Sequence, residues 1–125
     1  MKKIIATSAA PAAIGPYSQG VDGGSVVITS GQLPVDPATG AFAAEDIAGQ
    51  TRQSLKNVQA VLAQAGLGLE HVIKTTVFLK DMNDFAAMNE AYAAFFPAEP
   101  PARSAVEVAR LPKDALVEIE AIAVR

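Results

Sequence analysis

A chain of 125 residues, half of them hydrophobic, is long enough for one domain with a substantial core. Ten basic side chains against thirteen acidic ones leave a net charge of −3, and no basic run interrupts the chain, which sets nucleic acid aside as a partner. With no cysteine there are no disulfides, thiolate metal ligands or cysteine nucleophile, and the single histidine, His71, falls short of a usual zinc site.

The first residues combine two lysines with small side chains, superficially like an export signal. Their apolar run is only Ile4, Ile5 and Ala6. A signal core needs ~7–15 such residues and a membrane span ~20. A cytoplasmic protein with no membrane partner is the expectation, organised as one domain over residues 1–125.

Residues 3–6 form a short candidate strand, and Pro11, Gly15 and Pro16 punctuate a loop. Residues 18–21 are a second candidate strand. Asp22, Gly23 and Gly24 signal a hairpin turn into a third strand over 25–30. Residues 31–40 carry two prolines and two glycines and read as loop. A helix is expected over 46–65, capped by Asp46 and ended at Gly66. Its buried face takes Ala48, Thr51 or Arg52, Leu55, Val58, Leu62 and Ala65. His71 stands at the head of a strand over 72–79, rich in β-formers. Asn83 or Asp84 caps a second helix with an apolar stripe of Phe85, Met88, Tyr92 and Phe95. Pro97, Pro100 and Pro101 break the chain before two last strands, 103–108 and 115–124.

The order βββαβαββ describes an α+β domain in which two helices cover one face of a six-stranded sheet. Several strands are apolar on both sides. Val26 and Ile28 oppose Val27, and Leu116, Ile122 and Val124 oppose Val117, Ile119 and Ala121. A second face of that kind would leave a large apolar patch on a monomer. It is expected to pack on other copies of the chain.

Two charges stand out in segments that read as buried strand, where an unpaired charge is unfavourable. Arg103 fits a clamp for a planar carboxylate, or an ion pair with Glu107 or Glu120. Glu118 and Glu120 lie on one side of the last strand, roughly 6–7 Å apart. Such a pair serves acid–base chemistry or is only a polar strand face. Ser30 and Gly31 form a ligand-binding corner or a plain turn. Tyr17 reaches over a cleft or anchors a core edge. Asn89 lies beside the helical stripe, at a pocket or on the surface. The glycines at 23–24 and at 66 and 68 match no nucleotide-binding fingerprint.

With these positions in view, the chain resembles the reactive intermediate deaminase family, RidA or YjgF, over essentially its whole length. The resemblance is carried by AAIGPYSQG from Ala12, ITSGQLPVDPATG from Ile28, KTTVFLKDMNDFAAMN from Lys74 and PARSAVEVARLPKDALVEIEAIAVR from Pro101. Arg103 and Glu118 fall on the functional positions of the archetypal RidA subgroup. The resemblance implies a chorismate-mutase-like fold and a homotrimer with a central barrel and intersubunit sites. It implies hydrolysis of 2-imino acids and their enamine tautomers, released by pyridoxal-phosphate enzymes, to 2-oxo acids and ammonia, with no cofactor or metal. Arg103 would bind the substrate carboxylate and Glu118 would activate water. Tyr17, Ser30 and Asn89 would line the pocket, and backbone groups of Gly31 and Ala105 would fix the ligand. Ala105 stands where the family often has cysteine, and the connection from Phe96 to Arg103 is short for the family. A non-catalytic carboxylate-binding trimer is the alternative. The ribonuclease label that some members carry finds little support in an acidic chain.

Overall fold

The computed structural model describes all 125 residues. Its strands are β1 (Lys3–Ile5), β2 (Gly20–Asp22), β3 (Val26–Thr29), β4 (Val72–Leu79), β5 (Ala102–Glu107) and β6 (Val117–Val124). Its helices are α1 (Ile47–Gln64) and α2 (Phe85–Ala93). The expected order βββαβαββ is therefore present. The strands form one sheet in the order β1-β2-β3-β6-β4-β5. Every pairing is antiparallel except β4 with β5, which α2 joins as a crossover.

Asp46 caps α1 as expected, its side chain accepting from the Gly49 N–H, and Gly66 follows the helix at φ 79°. Leu55, Val58, Val61 and Leu62 of α1 are fully buried against Val27, Val77, Val117 and Ile119 of the sheet. Gly20 permits this approach, because a Cβ there would lie 2.7 Å from a Val61 methyl. The core thus sits between the helices and one sheet face.

The buried face of α1 is more polar than its apolar spacing suggests. Gln50, Ser54 and Asn57 are buried, whereas Ala48 is only half-buried and Arg52 is exposed. The amides are accommodated by hydrogen bonds to distant backbone. Asn57 donates to the carbonyls of Leu33 and Val35 at 2.9 and 2.8 Å. Gln50 donates to Ala44 O and accepts from the Leu116 N–H.

Other boundaries differ from the sequence expectation for local reasons. β2 begins at Gly20, because Ser18 and Gln19 are held by side-chain bonds: Gln19 donates to the carbonyls of Thr7, Ala10 and Pro11. The hairpin closes through Gly23 N–H to Val26 O, so β3 starts at Val26. Before α2, Asp81 caps a 3-10 turn over Met82–Asp84, and Asp84 occupies the α2 cap position without a side-chain bond. Phe95 lies just beyond α2. β5 is an edge strand and mostly exposed, contrary to its reading as buried.

The second sheet face has no cover within the chain. Register aligns Ile4, Val21, Ile28, Ile122, Lys74 and Ala102 in one row across it. Ile4 is 57 % exposed, Ile28 49 % and Val106 43 %. No helix is long and apolar enough to cross a membrane.

Candidate active site

Strand parity places the two singled-out charges on opposite faces of the sheet. Arg103 pairs in register with Thr75, which is buried under the helices. Glu118 pairs with Phe78, three residues along β4 and therefore on the open side. Within one chain they do not form a common pocket. Each belongs to its own candidate half-site.

The first half-site lies between β5 and α2. Arg103 Nη1 donates to Asn89 Oδ1 at 2.6 Å. Its guanidinium carbon stands 4.8 Å from the Tyr92 ring centre and 5.5 Å from that of Phe85. No carboxylate pairs with it: the arginine ion pairs of the chain are Arg110–Asp114 and Asp22–Arg125. The structural partners considered for Arg103 are thereby excluded. Glu107 instead accepts from the Met82 N–H, and Glu120 is on the open face. Ala105 shares the Arg103 side of β5 and packs against the core.

Tyr92 contributes more than packing here. Its hydroxyl bonds that of Thr75 at 2.6 Å in a buried setting. Burial raises the phenol pKa, while the Thr75 bond and the charge of Arg103 oppose that rise. Phe85, Asn89 and Tyr92 recur at helical spacing, so one α2 face meets Arg103. The apolar stripe identified Phe85 and Tyr92 as core, with Asn89 beside it, but could not indicate their contact with a cation.

The second half-site is a cleft of about 810 Å³ lined by Tyr17, Gly31, Gln32, Lys113, Glu118 and flanking apolar residues. Gln32 exchanges backbone hydrogen bonds with Ile119, which brings the loop after β3 onto β6. Gly31 then lies so close to Glu118 that a Cβ would be 2.5 Å from the carboxylate. Glu118 is half-buried. That burial pushes its pKa above the usual value, and the charge of Glu120 pushes it the same way.

Tyr17 is exposed over this cleft, its hydroxyl accepting from the Ile14 N–H. The Ser30 hydroxyl donates to Ser18 O, bracing the Tyr17 segment. Lys113 forms part of the rim in a left-handed conformation, φ 57°. The candidate site residues therefore divide into Arg103, Asn89 and Ala105 on one side, and Tyr17, Gly31 and Glu118 on the other, while Ser30 braces the Tyr17 segment without lining the cleft.

No group of three or more His, Asp or Glu side chains converges as a metal site. His71 accepts from the Gly68 N–H through Nδ1, as a strand-end residue.

A half-covered mixed sheet, an arginine without a carboxylate partner and a half-buried glutamate whose pKa is raised describe the chain before any comparison. The family model described as endoribonuclease L-PSP matches residues 7–125, and the chain belongs to that family, which is the YjgF/RidA family. A relative from Salmonella typhimurium, named 2-iminobutanoate/2-iminopropanoate deaminase, is 66 % identical over all of this chain and 99 % of its own. The crystal structure of the Escherichia coli YjgF gene product matches with TM-score 0.95 and 63 % identity over 98 % of each chain. Escherichia coli TdcF with bound serine matches with TM-score 0.95 and 59 % identity, also over 98 % of each.

Proposed function

We propose that this chain is a cytoplasmic, homotrimeric deaminase that hydrolyses 2-iminobutanoate, 2-iminopropanoate and their enamine tautomers to 2-oxo acids and ammonia. The observation that carries this reading is the arginine without a counter-ion. Arg103 is fixed by an amide and two aromatic rings, yet its charge is left for a ligand. A guanidinium recognises a planar carboxylate by two parallel hydrogen bonds. The Salmonella typhimurium relative bears the name of this activity, and TdcF was crystallised with an amino acid bound.

The half-sites supply complementary chemistry. Arg103 anchors the substrate carboxylate, and the Asn89 amide N–H groups remain available beside it. The backbone at Gly31 and Ala105 fixes the ligand, and Tyr17, braced through Ser30, walls the pocket. Glu118 takes a proton from water as oxygen bonds to the imine carbon and passes that proton to nitrogen, giving a carbinolamine. Glu118 then takes the carbinolamine hydroxyl proton and delivers it to nitrogen as C=O forms, the C–N bond breaks and ammonia leaves. A pKa raised above the usual carboxylate value suits a group that both accepts and returns a proton. No bound cofactor has a part in these steps. Since Arg103 and Glu118 occupy opposite sheet faces, one copy supplies the carboxylate anchor and a neighbour supplies the base. The uncovered apolar face provides the contact for that assembly.

The test generates the imine in situ with an amino acid oxidase and follows its decay. Wild type should accelerate the decay, and Arg103→Ala should remove most of the acceleration. Equal acceleration by that variant would refute the assignment. The serine bound to TdcF also fits a carboxylate-binding protein without turnover. Glu118→Gln separates the two: a deaminase loses turnover but still binds a 2-oxo acid.

A further inference from the structure

An anchor for a carboxylate must be stationary but must not be neutralised. Side chains that hold an arginine are commonly acids, and an acid occupies an N–H edge and cancels the charge. We propose that Tyr92, with Phe85 as a second face, is a positioning residue that fixes Arg103 for the substrate carboxylate while leaving its charge uncompensated. This rests on the carboxylate-anchor reading above.

Four observations converge. The Tyr92 ring centre is 4.8 Å from the guanidinium carbon, within the range where a ring face attracts a cation. Phe85 adds a second ring at 5.5 Å. Neither ring requires a guanidinium N–H. Within the chain only Nη1 donates, to Asn89, so the Nε and Nη2 edge is the one that meets the ligand.

The ring is itself fixed. Tyr92 is 6 % exposed and packs on Phe96 with centroids 4.8 Å apart. Its hydroxyl bonds Thr75, the residue of β4 that pairs in register with Arg103. Ring and guanidinium are therefore tied to the same rung of the sheet. Removing the face, more than removing the hydroxyl, should free the guanidinium to move.

The experiment measures binding of 2-oxobutanoate by calorimetry, alongside imine turnover, in wild type, Tyr92→Phe and Tyr92→Leu. Tyr92→Leu should weaken binding about tenfold and raise KM by a similar factor, with kcat within about threefold of wild type. Tyr92→Phe keeps the ring and should stay within about threefold in binding. Wild-type affinity in folded Tyr92→Leu, or equal weakening in both variants, overturns the proposal. Where Tyr92→Leu does not fold, half-buried Phe85 replaces it: Phe85→Leu should weaken binding by about threefold, and unchanged binding overturns the proposal. Wild type that binds 2-oxobutanoate without accelerating imine decay overturns the deaminase reading alone.

Discussion

In the proposed mechanism, Glu118 concentrates the chemistry at the scale of single residues. Burial and, secondarily, the charge of Glu120 raise its pKa from the usual 4.5. The native state therefore keeps this proton to higher pH than the unfolded chain. Stability linked to Glu118 is present below pH 4.5 and declines as pH rises through the elevated folded value. The base is active only when ionised, so turnover should rise with pH over that same window. Glu120→Gln removes one of the two upward pushes and should move the acid limb of kcat/KM to lower pH. A pH–rate profile with an unmoved limb would contradict the coupling. Glu118→Gln should lower kcat by about 10²–10⁴-fold while raising the thermal midpoint at pH 7, because an amide does not carry the buried charge. Sequence periodicity put Glu118 and Glu120 on one strand side, and the register agrees. It did not reveal the setting of Arg103, because Phe85 and Tyr92 give the same helical signal whether they pack on leucines or on a guanidinium.

At the scale of elements, α1 is both core helix and scaffold for the cleft. Its apolar spacing was legible, as were Asp46 at one end and Gly66 at the other. Its buried amides were not, since their partners lie on segments remote in sequence. Asn57 holds the carbonyls of Leu33 and Val35, and Gln53 in turn donates to Asn57 Oδ1 at 2.9 Å. The loop it grips also carries Gly31, and Leu33 and Val35 line the cleft. Asn57→Ala leaves two backbone carbonyls without their partner in a tightly packed region. The expected loss is about 2–4 kcal/mol of unfolding free energy. Denaturant unfolding measures it, and a loss below about 0.5 kcal/mol would show that the loop is held elsewhere. The strand ends shifted for a related reason. Gln19 and Ser30 draw their neighbours into side-chain bonds, and alternation along the chain cannot show where ladder bonding gives way to these.

The whole molecule joins the two unfinished features. One sheet face is apolar and uncovered, and the two charged groups stand on opposite sides of that sheet. The apolar face was visible as alternation with hydrophobic residues on both sides; the separation of the charges required the register. In the proposed trimer a subunit supplies Arg103 to one cleft and Glu118 to another, a head-to-tail contact of which three would close a ring. Arg103→Ala and Glu118→Gln should each be nearly inactive as pure assemblies. Mixed by co-refolding at equal amounts, they should regain activity. A site is complete where a Glu118→Gln copy contributes its intact Arg103 and an Arg103→Ala copy contributes its intact Glu118. Random assembly places that arrangement at about a quarter of the clefts, so the mixture should recover about a quarter of wild-type turnover. A mixture that assembles to three times the 12.9 kDa chain mass yet stays inactive would show that each site draws both groups from one copy. Recovery that appears on mixing and disappears when Ile28→Lys disrupts the open face would tie catalysis to the contact that buries it.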